Sequence, residues 1–197
     1  MEFSDGDSKQ KMLEYIILII LKVSPTQKVS SLHIQKEIFL LIKFHPDIKN
    51  FYNFIKHYKG PFSRDVEESI RNPFYLENCW TYLPPKKTDK LSGGFVSITP
   101  TGLEIYESFI DNVNAIDDKE LKDSLVHLLS GIDIVATIYG DLSNEELLLL
   151  IYKAFPKYVE KSNLYYQLDN KKSILAHQLF EKGRISEEKC ESLSRGQ

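Results

Sequence analysis

A glycine–proline step constrains this chain more than any other feature. In FIKHYKGPFSRDVEESIRNP, Gly60 and Pro61 separate an aromatic-rich run from a charged segment with helical spacing. Glycine reaches backbone angles closed to other residues and proline fixes its own φ, so the pair forces an abrupt change of direction. Ser63 is then expected at a helix N-cap, with Asp65 in the first turn where the helix dipole favours negative charge. Phe62 is expected to staple the turn to the core. Gly60, Pro61, Phe62 and Ser63 read together as a structural turn that sets the angle of the helix after it.

The flanking segments show what the turn connects. Residues 8–23 are apolar nearly all round, the pattern of a helix buried on several sides, and Pro25 ends it. Ser30 or Ser31 caps a second helix to about residue 44, with Ile34, Ile38, Leu41 and Ile42 on one face and Lys36 and Lys43 outside. FYNFIKHY fits a strand or a helical face, and the glycine–proline stop favours a short strand. The third helix, about 63–72, has a narrow seam of Val66 and Ile70 and ends ahead of Pro73. Two β-rich runs, 79–83 and 95–98, then form a hairpin with a long, basic, flexible tip. Thr99 before Pro100 caps the helix that follows.

The order helix, helix, strand, helix, hairpin, helix is that of a winged helix. VSITPTGLEIYE resembles the last wing strand and following helix of winged-helix regulators. LHIQKEIFLL with HYKGPFSRDVEESI resembles the YwgA-like proteins and, more distantly, the SocA-like Panacea antitoxin domain. Those families pair an L-x-x-Q-K-x-x-F/Y helix with a Y-G-P-F/Y-S turn. The likeness spans roughly residues 10–110, and Lys59 is an insertion between Tyr58 and Gly60 against that pattern. It implies a winged-helix-like domain of antitoxin or adaptor proteins from microbial stress and phage-defence loci, with no cofactor and no settled catalytic activity.

The expected fold class is mainly α (α+β): a winged-helix-like domain with a small antiparallel wing over 1–115 and a helical region over 116–197. In that region KELKDSLVHLLSGIDIVATIY and SNEELLLLIYKAF are helix candidates, the second capped by Ser143. A helix around 171–182 stops at Gly183, and a last short one is capped by Ser186. The LLLLIY run is expected in a core in preference to a homodimer seam, because amphipathic bundles bury such runs.

Charge divides along the chain. The formal net charge is -3, but residues 1–100 carry 14 Lys/Arg against 11 Asp/Glu and residues 101–197 carry 11 against 17. Two distant cysteines, Cys79 and Cys190, supply neither a disulfide framework nor a thiolate zinc site, so a reducing cytoplasm is the expected compartment. MLEYIILIILKV is too short to cross a bilayer. Glu2, Asp5 and Asp7 occupy the place of a positive leader, so no secretory signal is expected.

Catalytic constellations are missing from the sequence. His33, His45, His57, His127 and His177 lack the spacing that aims two ligands from one helical face, and no metal or cofactor is expected. Asp47 and Asp169–Lys171 imitate the order of a metal-dependent nuclease motif without its strand scaffold. Adjacent acids such as Glu67–Glu68 suit solvated faces and helix starts.

Two binding readings remain. With Val66 and Ile70 inward, the third helix exposes Arg64, Glu67, Glu68 and Arg71, a mixed-charge face suited to a protein partner. For DNA, the candidate contacts are Lys86, Lys87 and Lys90 on the wing, Arg64 and Arg71 on the helix, and Lys56 and Lys59 beside it. Adjacent carboxylates would repel phosphates, which places DNA second to a non-enzymatic antitoxin-like or adaptor-like role.

Overall fold

A computed structural model describes residues 5–195 except 50 and 90; of residues 5 and 47 it describes only the backbone. The chain is mainly α-helical, with eight α-helices and a few short antiparallel strands among the described residues. It divides into two compact units, Met1–Asn53 with Ser63–Gly140, and Phe54–Phe62 with Asp141–Gln197.

The first unit is built around α1 (Asp5–Val23), whose Leu13 and run from Ile16 to Leu21 are buried as its all-round apolar sequence requires. Short strand β1 (Lys28–Ser30) leads straight into α2 (Ser31–Phe44). Ser30 is the cap: its Oγ accepts from the His33 backbone N–H. In α2 every residue from Ser31 to Ile42 is buried, including Lys36, which the amphipathic pattern places outside. Over this stretch the helix has no solvent side, so its polar side chains are buried as well. A 3-10 turn, Pro46–Ile48, follows.

Helix α3 (Arg64–Arg71) buries Val66, Ser69 and Ile70. Strands β4 (Trp80–Leu83) and β5 (Phe95–Ile98) complete a three-stranded antiparallel sheet in the order β1-β5-β4, with Val96 opposite both Val29 and Tyr82. Three residues of β1 are too few for the period-two pattern that announces a strand, which hides it in the sequence.

Helix α4 (Pro100–Asn114) starts as the Thr-Pro-x-Gly pattern dictates: Thr99 Oγ1 accepts from Gly102 N–H, and Pro100 needs no partner at the first turn. A Cβ on Gly102 would lie 2.1 Å from the Cys79 carbonyl oxygen, so this glycine permits the close approach of α4 to the start of β4. Helix α5 (Lys119–Tyr139), capped by Asp118, packs on α1, α2 and α4 and belongs to the first unit, past the sequence-based division at 115/116.

In the second unit, β2 (Ile55–His57) and β3 (Gly60–Phe62) form a hairpin that turns at Tyr58 and Lys59. The glycine–proline step therefore starts a paired strand, and the expected strand over 51–58 shrinks to three residues. Gly60 has φ +83, and a Cβ there would sit 2.9 Å from Leu148 Cδ2. Phe62 is half-buried and stacks on His57 at 4.6 Å between ring centroids.

Helix α6 (Asn144–Ala154) opens with a capping box, Ser143 and Glu146 bonding each other's backbone N–H. Its Leu147, Leu148 and Ile151 are fully buried with Leu168, Leu175 and Leu179 of α7 (Tyr165–Glu181), so the LLLLIY run is core. Helix α7 starts six residues before the expected 171 because Leu164, at its cap position, gives no capping signal. Gly183, at φ +66, ends it, and α8 (Glu187–Arg195) closes the unit.

Candidate interaction surface of α3 and the β4–β5 loop

Helix α3 is held at both ends by side chains distant in sequence. At its start, Gln35 acts like the edge of a peptide: Nε2 donates to the Ser63 carbonyl at 2.9 Å, and Oε1 accepts from Ser63 N–H at 3.0 Å. The Ser63 hydroxyl makes no capping bond, contrary to expectation, and its buried Oγ finds no partner among the described residues. Position 63 is secured through its backbone, so the hydroxyl is not what holds it.

At the other end Trp80 Nε1 donates to the Ile70 carbonyl at 3.0 Å. The loop beyond is gathered by Glu14, a fully buried carboxylate in the apolar heart of α1. Oε1 accepts from Phe74 N–H at 2.9 Å and Gln10 Nε2 at 2.8 Å, and Oε2 accepts from the N–H groups of Tyr75 and Leu76, both at 2.8 Å. Burying a charge is tolerable only when it is hydrogen-bonded this fully.

Outward, α3 shows Arg64, Asp65, Glu68 and Arg71, with Glu67 half-buried among them. Arg71 Nε donates to Glu67 Oε1 at 2.6 Å, and its guanidinium lies 4.9 Å from the Tyr82 ring centroid. The hydrogen bond to Glu67 holds the Arg71 pKa above its ordinary value against the opposing effect of burial. Glu67 Oε2 also accepts from Ser31 Oγ at 3.4 Å, and Glu68 accepts from Asn72 Nδ2 at 3.0 Å. The face thus presents two arginines against three acids, with one arginine already matched and stacked.

The β4–β5 loop carries Lys86 and Lys87 exposed; Lys90 lies outside the described residues. The expected flexible tip has an organised base. Asp89 Oδ1 accepts from Leu91 and Ser92 N–H, and Tyr82 OH donates to the Gly93 carbonyl at 2.8 Å. The Ser92 and Gly94 carbonyls accept from Leu32 and Ser31 N–H, using two of the first-turn donors of α2. Gly93 and Gly94 take φ +72 and +98, and a Cβ on Gly94 would meet the Leu83 carbonyl oxygen at 2.6 Å. These glycines let the loop turn back on its own strand.

Lys56 and Lys59 belong to the β2–β3 hairpin of the second unit. Lys56 is ion-paired with Glu160 at 2.5 Å, and Lys59 is half-buried. The structure thus groups Arg64, Glu67, Glu68 and Arg71 on one helix, Lys86 and Lys87 on one loop of the same unit, and Lys56 and Lys59 on the other unit.

Asp169 pairs with Lys172 on α7 at 3.0 Å, and among the described residues no group of three or more His, Cys, Asp or Glu is placed to hold a metal ion. Burial, and secondarily the Glu14 charge, push the Cys79 thiol pKa up, away from thiolate chemistry. Among the described residues no single helix is long and apolar enough to cross a membrane. Neither a protein-family model nor a curated protein matches the chain.

Gln35 and Glu14 are what sequence reading missed. The signal for Glu14 was present, since an acid flanked by Leu13 and Tyr15 in an all-round apolar helix requires buried donors. Gln35 gave no such signal, as a glutamine on a helix reads equally well as surface.

Proposed function

We propose that the first unit is a winged-helix-like module that binds a protein partner through α3, in a non-enzymatic, antitoxin-like or adaptor-like role in the cytoplasm. The element order α1, β1, α2, α3, β4, β5 and the sheet order β1-β5-β4 support the winged-helix reading. The YwgA-like and Panacea-like motifs supply the biological role, and the Gln35 clasp on Ser63 gives the Gln of that pattern a physical purpose.

The observation that carries the protein-binding reading is the Glu67–Arg71 pair on an acidic-leaning helix face. A helix seated in a DNA major groove needs its arginines free for base edges and phosphates and its carboxylates few. On α3 an acid occupies one arginine, and Asp65 and Glu68 would face the polyanion. Ion pairs rimming a protein interface select a partner by complementarity, which suits such a surface. DNA is the second reading, favoured by exposed Lys86 and Lys87, which could reach phosphates from the loop; a homodimer would accompany it.

The test joins two assays on the full chain. A photo-crosslinking residue at Glu68 should capture one protein in cells, lost on Arg64→Glu, while the same residue at Asp111 on α4 captures none. Labelled duplexes should not bind at about 50 mM salt, where phosphate contacts are strongest. DNA binding that falls steeply between about 50 and 200 mM salt and weakens in the Lys86→Ala, Lys87→Ala variant would overturn the reading.

A further inference from the structure

The register of the β2–β3 hairpin fixes which backbone groups β2 turns outward. Ile55 pairs with Phe62, Lys56 with Pro61 and His57 with Gly60. Proline has no N–H, so Lys56 and Pro61 form the non-hydrogen-bonded pair, and the bonds of the hairpin run through Ile55 and His57 on either side. The N–H and C=O of Lys56 therefore point away from β3, as do the carbonyls of Phe54 and Tyr58. Those two carbonyls are met from within the second unit: the Tyr158 hydroxyl donates to Phe54 at 3.3 Å, and Asn163 N–H donates to Tyr58 at 3.0 Å. Between these ties neither backbone group of Lys56 has a partner among the described residues.

The space beside that edge is open and its charge is one-sided. Two clefts of about 550 and 360 Å³ lie between β2 and the 157–163 segment and share Ile55, Lys56 and Lys161. Among the described residues their linings carry three lysines, Lys56, Lys157 and Lys161, against one acid, Glu160. Glu160 matches Lys56 at 2.5 Å. Lys157, 5.2 Å from the Tyr158 ring centroid, and Lys161 are exposed, which leaves the edge cationic.

An outward donor and acceptor on one strand residue take an extended chain, which exchanges both backbone bonds with a single residue of its own. The side chain of that residue falls on the Lys56 face of the ladder, where opposite charge is favourable. A second copy of β2 is a poor occupant by the same rule, because antiparallel self-pairing sets Lys56 directly against its own symmetry mate. We propose that the outer edge of β2 binds an extended acidic peptide of a partner protein by strand addition, with one acid opposite Lys56 and others at Lys157 and Lys161. The site shares no residue with the α3 face, so its failure leaves the function proposed above untouched.

Fluorescence anisotropy of labelled Glu-Val-Glu-Val-Glu titrated with the full chain tests it. Saturable one-to-one binding is expected, and none for Lys-Val-Lys-Val-Lys. N-methylation of all three glutamates keeps the charge and removes the donors that face Lys56, and should weaken binding at least tenfold, the scale of a lost hydrogen bond with its acceptor left stranded. Lys161→Glu, at an exposed position, should weaken it about five- to tenfold, with unchanged far-ultraviolet circular dichroism as the check on folding. Hydrogen exchange at the Lys56 amide should slow in the peptide complex, which a charge contact alone does not produce. Three results overturn the proposal: no saturable binding up to about 1 mM, equal binding of the N-methylated peptide, or a random DNA duplex that displaces the peptide while Lys56 exchange stays fast, which marks the lysines as phosphate contacts.

Discussion

Glu14→Gln should destabilise the first unit far more than an isosteric change suggests. The two carboxylate oxygens divide four donors: Oε1 takes Phe74 N–H and Gln10, and Oε2 takes Tyr75 and Leu76 N–H. Glutamine keeps one acceptor oxygen and sets an NH2 where the other stood. If the amide oxygen takes the Oε2 place, the NH2 meets Phe74 N–H, while Gln10 can rotate its own amide. If it takes the Oε1 place, two backbone donors face an NH2. Each stranded buried donor costs about 1–3 kcal/mol, and the remaining bonds lose their charge assistance of roughly 1 kcal/mol. The expected loss is about 3–4 kcal/mol, a large share of a stability typically near 5–15 kcal/mol. Urea unfolding followed by Trp80, the single tryptophan, reports on the first unit because Trp80 is buried there. With a slope near 2 kcal/mol/M the midpoint should fall by about 1.5–2 M. A shift below about 0.5 M at unchanged slope would refute the assignment of Glu14 as the anchor of the 74–76 loop.

Three further outcomes follow from the structure. Ser63→Ala should be neutral or stabilising by up to about 1 kcal/mol because it removes an unpartnered buried hydroxyl, whereas Ser143→Ala should cost about 1 kcal/mol by breaking the capping box; chemical denaturation of the two variants checks the contrast. Gly102→Ala should destabilise by about 2–3 kcal/mol in the same assay because of the Cys79 carbonyl, although helix propensity alone predicts a gain near 1 kcal/mol, so the sign decides. Burial, and then the Asp65 charge, raise the Tyr52 pKa above that of an unfolded tyrosine near 10, so its neutral form stabilises the fold below about pH 10 and that contribution is lost as pH rises further. Urea midpoints at pH 8 and about pH 11 should show a smaller alkaline loss in Tyr52→Phe than in the natural chain.

What was legible in the sequence was local. The caps at Ser30, Thr99, Ser143 and Ser186 each bond a backbone donor three residues on, so spacing alone reveals them. The core seam of α3 followed from helical periodicity, and the buried run of α6 from the tendency of amphipathic bundles to bury such runs. What was not legible depends on partners far along the chain. Strand β1 exists because Val29 pairs with Val96, Gln35 reaches Ser63, and Glu14 reaches residues 74–76. Lys36 misled because amphipathicity assumes a solvent side, and α2 has none over most of its length. Ser63 misled in the opposite way: a residue type and position suited to capping was real, but a distant glutamine had already secured the backbone there.

The same long-range bonds make so short a helix rigid enough for the recognition role proposed for it above. Eight residues cannot hold a helix in water, since nucleation costs more than so few bonds return. Helix α3 depends on Gln35 at its first end, Trp80 on its last turn, and Glu14 on the loop beyond. Each tie comes from a different element, and together they fix both the position and the rotation of the helix about the Val66–Ile70 seam. A face fixed in this way pays little ordering entropy when a partner docks, which raises affinity without adding contacts. Loosening an anchor should therefore weaken partner binding even though Gln35 and Glu14 lie inside, remote from the exposed Arg64 and Glu68 that would touch the partner. If Gln35→Leu left crosslinking through position 68 unchanged while lowering stability, rigidity of α3 would be a requirement of folding alone and not of recognition.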